Sequence, residues 1–298
     1  MSESEGRGGA WTEERRRSDE GSRRPEGAPE ASGKHRVVEP DPKSPRSAAR
    51  PAVQHLVVRY AKRGKMRFAS HRDVARAFER GVRRAGLPIA YSAGFTPHPK
   101  ISYAGGAPTG VASEAEYLSL ALTSRQAATQ VCQRLNAALP DGIDVIDVTE
   151  DAEEPKDRTA FGHLEASQWR VVLPGVEPAV AQRAVAGFLA RDEAPVERLT
   201  DKGVRSLDAR AAVVELDVPD EGGPPEAAGS DRGQRAAMTG SQDCAILRMV
   251  VLHTAPAVRP DDVLTALRGQ HGLVPSSPPM ITRLAQGPLA QLAGTKVS

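Results

Sequence analysis

The chain has 298 residues, 26% of them charged, a formal net charge of only +2 and two cysteines. No apolar run approaches the roughly 18–20 residues of a membrane span, which leaves a soluble, cytoplasmic protein of one or two domains as the expectation, with no membrane partner. Cys132 and Cys244 lie far apart with no Cys-x-x-Cys spacing. They cannot supply a four-cysteine zinc site or a cysteine triad for an iron–sulfur cluster, so they read as core thiols and the chain is expected to bind no metal or cofactor itself.

Residues 1–50 are rich in Gly, Ser, Pro, Glu and Arg, with Trp11 as the lone aromatic residue. Such a segment cannot bury enough surface to offset its ordering entropy and reads as a disordered tail. It has no apolar core run for a signal peptide, and its acids argue against a transit peptide.

A first α+β domain is expected over 51–150. Residues 53–60 (VQHLVVRY) read as a strand, 62–65 as a turn and 66–69 as a short extended piece. Ser70 starts a helix that runs to about Ala85, where Gly86 stops it and Pro88 follows. Residues 89–91 and 100–103 flank a proline-rich loop as short strands, and 116–123 (EYLSLALT) alternate as a longer one. A second helix is predicted over 124–139 with Ser124 as its cap, then a Pro140-Asp141-Gly142 turn and a strand over 143–148. The order β-α-β-β-α-β is that of a ferredoxin-like domain.

A second domain over 160–290 repeats the order. It has a strand at 168–173, a helix at 178–189, extended segments at 196–199 and 207–218, a flexible loop at 219–241, a strand at 244–253, a helix at 260–267 and a strand at 279–284. The expected fold is α+β, a tandem of two ferredoxin-like halves behind a disordered tail.

Charge is segregated along this chain. Residues 53–100 hold eleven Lys or Arg against Asp73 and Glu79, a local balance of +9 in a nearly neutral protein. Such a patch suits a polyanion or an acidic protein surface. On the helix, Val74, Phe78, Val82 and Ala85 share an arc of about 80° and face the sheet. Arg72, Arg76, Arg80, Arg83 and Arg84 share an arc of about 120° elsewhere, as forked donors suited to phosphate oxygens. Ser70 and Asp73 fit a capping box. His71 at the first helical position has no capping duty and suits anion contact or proton transfer. Two prolines around His98 stiffen its loop. Phe95 is either a core plug or a stacking surface for a base, and Tyr91 and Lys100 add a hydroxyl and a charge. His71 and His98 could converge, but no third metal ligand accompanies them. Further on, Lys202 precedes an Asp208-x-Arg210 strand whose side chains would share a face, and Arg283 is a lone basic residue on an apolar strand.

These residues form motifs. Lys62-x-Gly64, Arg67-Phe68-x-Ser70-His71-x-Asp73, the Arg80/Arg83-Arg84 helix end, Tyr91-Ser92-x-Gly94-Phe95-x-Pro97-His98-Pro99, and Gly110 with Glu116 resemble the radical SAM-linked family of uncharacterised proteins, DUF2344. Lys202-Gly203, Asp208-x-Arg210, Arg259-Pro260 and Gln286-Gly287-Pro288 resemble its later motifs. The chain departs from the pattern at Arg72, where the family tends to be apolar, and at Thr96, where Asn is usual. It also has Ala107-Pro108-Thr109-Gly110 in place of Leu-Pro-x-Gly. The resemblance implies a partner, a radical SAM protein that carries an iron–sulfur cluster, S-adenosylmethionine and a cobalamin-type domain. The leading expectation is therefore an accessory binding protein, with RNA or that partner meeting Arg67, Ser70, Arg72, Arg76, Arg80, Arg83, Arg84, Tyr91, Phe95, His98, Lys100, Lys202, Asp208 and Arg210. An enzyme using His71, Asp73 and His98 as acid–base groups is the alternative, and a purely structural docking module the third reading.

Overall fold

Alternation makes the first strand. In β1 (Gln54–Lys62) Leu56, Val58 and Tyr60 are buried on one side, and the residues between them are partly exposed. A computed structural model describes residues 50–93, 95–151, 161–200, 203–219 and 244–293. The tail expected to be disordered, apart from Arg50, and nearly all of the loop expected at 219–241 lie outside the described residues.

After β1 come α1 (His71–Arg84), β2 (Ile101–Tyr103), β3 (Ala112–Leu122), α2 (Ala128–Ala138) and β4 (Ile143–Asp151). They are followed by β5 (Ala166–Pro174), α3 (Pro178–Leu189), β6 (Pro195–Thr200), β7 (Gly203–Asp208), β8 (Val213–Asp217), β9 (Cys244–Leu252), α4 (Pro260–His271), β10 (Met280–Gly287) and α5 (Leu289–Leu292). The fold is mixed α+β, with five α-helices among the described residues and a mostly antiparallel sheet.

Eight strands make one sheet in the order β4-β1-β3-β10-β5-β9-β8, with β2 also paired to β3. The strands of residues 51–150 and those of 160–290 therefore belong to the same sheet. They meet where β3 and β10 pair in parallel through Thr282↔Ala112 and Arg283↔Ser113. β6 and β7 form a separate hairpin, pinned to α4 by a 2.7 Å contact from Arg198 Nη1 to Asp262 Oδ2.

Four helices cover one face. Val74, Phe78, Val82, Val131 and Leu135 pack on Leu56, Val58, Leu118 and Leu120. Across the seam, Ala184, Phe188, Val263 and Leu267 pack on Trp169, Val171, Leu247 and Met249. The short α5 sits on the other face, where Leu292 meets Ala166 and Val250.

Three elements differ from their sequence expectation, each for a local reason. The piece at 66–69 is a tight 3₁₀ turn, Gly64–Phe68, because Met66 N donates to Arg63 O and Ala69 N to Met66 O, both at 3.0 Å. The second helix starts at Ala128, and Ser124 does not cap it. The Gln54 side chain claims the chain first: its Oε1 accepts from Gln126 N at 2.8 Å and its Nε2 donates to Gln126 O at 3.1 Å. The segment at 207–218 is broken into β7 and β8 because Asp208 Oδ1 accepts from Arg210 N at 2.9 Å and Ala194 N at 2.8 Å. This side-chain turn ends the strand, so Arg210 lies in a turn and does not share a strand face with Asp208.

Two glycine substitutions should move stability in opposite directions. Gly142 has φ +88°, and a Cβ there would lie 2.7 Å from Arg63 O, so Gly142→Ala should cost at least about 2 kcal/mol. Gly269 is exposed within α4 with nothing near its Cβ position, so Gly269→Ala should stabilise by about 0.5–1 kcal/mol. Urea unfolding of both variants checks the pair.

Candidate functional site

The start of α1 is built by its own side chains. Ser70 Oγ accepts from Asp73 N at 3.2 Å, and Asp73 Oδ2 accepts from Ser70 N at 3.3 Å and Ser70 Oγ at 2.7 Å. These bonds to Ser70 hold the Asp73 carboxyl below its ordinary range, with Arg76 adding to the effect. Asp73 is thus a fixed anion of the cap. The His71 ring meets Tyr103 edge-on at 5.3 Å. Burial pushes the Tyr103 hydroxyl well up, and it donates to Ala75 O at 3.5 Å.

The arginines of α1 all reach solvent. Arg76 lies 3.9 Å from Asp73 as a largely exposed pair, worth at most about 1 kcal/mol. Arg84 has a structural duty, since its Nη1 donates to Ala138 O at the end of α2 at 3.0 Å. Among the described residues Arg72, Arg80 and Arg83 make no hydrogen bond or ion pair through their side chains, and Arg76 has only that long pair to Asp73. Arg67 precedes the helix. Its guanidinium lies 4.6 Å over the Phe68 ring, its Nε is buried without a hydrogen-bond partner, and its carbonyl accepts from Gly110 N at 2.8 Å.

The proline-rich loop is tied at its neck. Ser92 N donates to His98 O at 2.8 Å and His98 N to Ser92 Oγ at 3.0 Å. Tyr91 bridges Pro99, and Lys100 N donates to Ala90 O at 2.8 Å. Tyr91 packs partly buried against the core, whereas His98 and Lys100 are exposed. Phe95 is 86% exposed, so it is not a core plug. Gly94 and Lys202 lie outside the described residues. His71 and His98 have different neighbours: His71 meets Tyr103 edge-on at the end of β2, whereas the His98 backbone is tied to Ser92 before β2 begins. Asp208 and Arg210 are committed to the β7–β8 turn, where Arg210 Nη1 also donates to Val213 O at 3.0 Å.

Behind α1 lies a buried charge cluster that the sequence reading touched only piecemeal. Lys62 is 3% exposed, Glu116 3% and Arg283 6%. A bulge in β3 makes this possible. Tyr60 pairs with Glu116 but Lys62 pairs with Ser113, so the extra β3 residue turns both Glu116 and Ser113 to the helix side. Arg283 Nη1 donates to Glu116 Oε1 at 3.2 Å and Gly105 O at 3.0 Å, and its guanidinium lies 4.6 Å over Trp169. Glu116 also accepts from Ala107 N at 3.1 Å. Lys62 Nζ donates to Ala107 O at 3.0 Å and Pro108 O at 3.3 Å. Three charges thus hold the loop at residues 104–110. Burial lowers the pKa of both Lys62 and Arg283 from their ordinary values, with Glu116 opposing it. The signal in the sequence was Glu116 itself, a carboxylate in phase with Leu118, Leu120 and Leu122.

Beside this cluster, His253 Nδ1 lies 2.6 Å from Leu164 O and Nε2 lies 2.6 Å from Ser167 Oγ. A carbonyl can only accept, so Nδ1 carries the proton and neutral Nε2 accepts from the Ser167 hydroxyl. Burial lowers the His253 pKa, and the Arg283 charge adds to this.

Two outcomes follow from these buried groups. Glu116→Gln leaves two buried cations without their anion and should cost about 3–5 kcal/mol in chemical denaturation. For His253 the unfolded chain binds a proton at higher pH than the folded one. Stability should therefore fall as pH drops below about 6.5 and level off beneath the folded pKa. His253→Gln should flatten that part of the stability profile.

Comparison with known proteins adds a family. No curated protein matches the chain. A model of a family described as an uncharacterized protein conserved in bacteria, DUF2344, matches residues 55–260. That span is well over half of the chain and takes in Lys62, α1, the 92–100 loop, Glu116 and His253, while Arg283 lies past its end. The chain belongs to the DUF2344 family.

Proposed function

We propose that this chain is an accessory binding protein of the cytoplasm. It works beside a separate radical SAM enzyme that carries the iron–sulfur cluster, S-adenosylmethionine and a cobalamin-type domain, and it offers the arginine row of α1 to RNA. One observation carries the reading: Arg72, Arg76, Arg80 and Arg83 stand exposed on one helix, which carries only two acids, the half-buried Glu79 and Asp73, the latter held in the helix cap and 3.9 Å from Arg76. Guanidinium groups at this spacing match phosphates along a strand. The nearby loop adds Phe95 at 86% exposure, a flat ring of the kind on which unpaired bases stack.

A stand-alone acid–base enzyme fits less well. His71 and His98 are held against different partners, Tyr103 and Ser92, and Asp73 is a cap anion held below its ordinary pKa. We also read the fold as two ferredoxin-like halves. The pairing β4-β1-β3-β2 in residues 51–150 and β10-β5-β9-β8 in 160–290 supports this, since each follows the fourth-first-third-second order of a βαββαβ unit. The β6–β7 hairpin is then an insertion in the second.

The test is RNA affinity against salt. If about four arginines contact phosphates of one strand, log K should fall with log salt at a slope of roughly −3. Replacing Arg76 and Arg80 by Gln should reduce that slope by about 1–2 and weaken all sequences alike. Phe95→Ala and His98→Ala should instead change base preference. Undetectable RNA binding at low salt, with anaerobic capture of the radical SAM protein lost in the Gln variants, would make α1 a protein-docking face.

A further inference from the structure

On the face of the sheet opposite α1–α4, strand register lays out a polar row. Asp217 on β8 opposes Arg248 on β9, Arg248 opposes Arg170 on β5, and Arg170 opposes Thr282 on β10. Their chain neighbours Trp169, Val171, Leu247, Met249 and Ile281 all lie in the helix-side core. Alternation therefore turns the two arginines to the other face.

Two cations directly across an antiparallel ladder, with Cβ atoms about 4.5–5.5 Å apart, repel each other. The surroundings relieve this pair only in part, through the Asp217 carboxylate beside Arg248. Arg170 Nη2 and Arg248 Nε are buried nitrogens with no hydrogen-bond partner. Asp217 Oδ2 is 3.5 Å from Arg248 Nε, close enough for charge but outside hydrogen-bond geometry. Burial also lowers the Arg170 pKa. Buried donors are ordinarily satisfied, and a charged one left bare is costly.

We propose that Arg170 and Arg248 form a binding site for a phosphate group, separate from α1 and independent of its role. Guanidinium forks suit a tetrahedral oxyanion, whose charge offsets both cations. Thr282, next in the row, supplies a hydroxyl. Asp217 at the far end limits affinity, because its carboxylate competes for Arg248.

The test is calorimetric titration of the whole chain with inorganic phosphate at constant ionic strength, with chloride as the matched salt. One saturable site is expected. Arg170→Gln and Arg248→Gln should each weaken it by about tenfold or more, the loss of a charge-assisted hydrogen bond. Asp217→Asn should tighten it, and this substitution at an exposed carboxylate keeps the test open if a Gln variant does not fold. Arg183→Gln, at an exposed arginine of α3 with no part in either site, should leave it unchanged. Competition by single-stranded RNA, lost in Arg170→Gln, assigns the phosphate to a nucleic-acid backbone; phosphate binding that RNA does not displace assigns it to a small phosphorylated ligand. Absence of saturable binding, phosphate affinity equal in wild type and both Gln variants, or an unchanged or weaker site in Asp217→Asn overturns the proposal.

Discussion

Glu116 is the group on which the joining of the two sets of strands depends. β3 and β10 share only two residue pairs, too few to join two large sets of strands by backbone bonding alone. The side chains at that seam complete the joint. Glu116 from one set meets Arg283 from the other, and both hold the loop at 104–110. Lys62 adds a second cation against the same loop. A buried ion pair is weak evidence of net stability, because desolvation consumes most of the Coulomb gain. Its effect here is specificity: an apolar seam could slip by a register step, whereas a misaligned one strands three charges away from water.

The same cluster shapes what the surface can do. Tyr60 stands between the buried charges and α1, edge-on to Phe78 at 4.7 Å. Phe78 is in turn packed with Tyr103, on which His71 stacks. The arginine row is therefore carried on a helix whose underside is rigidly seated, and its guanidinium groups lose less freedom on meeting a ligand than they would on a mobile arm.

Much of this was legible in the chain, for physical reasons. β1, α1, α3, β5 and β9 were found because alternation and helical periodicity are strong where one face is buried. The Ser70–Asp73 box was readable because a cap is a local device. What escaped depended on distant partners. Gln54 delays α2 from 72 residues away in sequence, and Asp208 breaks its strand through Ala194. The arginine row was visible as a pattern, but Arg84's attachment to Ala138 was not. The charge cluster was present as isolated letters. Only the bulge in β3 brings Lys62, Glu116 and Arg283 to one side, and a bulge leaves no mark in hydropathy.

The strand at the middle of the sheet is the last of the ten described strands to be made. β10 lies between β3 and β5, yet it follows them by more than a hundred residues. Until it arrives, the edge of β5 that it will pair is open, and β3, already paired to β2 along residues 118–120, lacks its partner at Ala112 and Ser113. Such edges invite pairing with other chains. The edge of β5 therefore waits through the synthesis of more than a hundred residues for the strand that covers it.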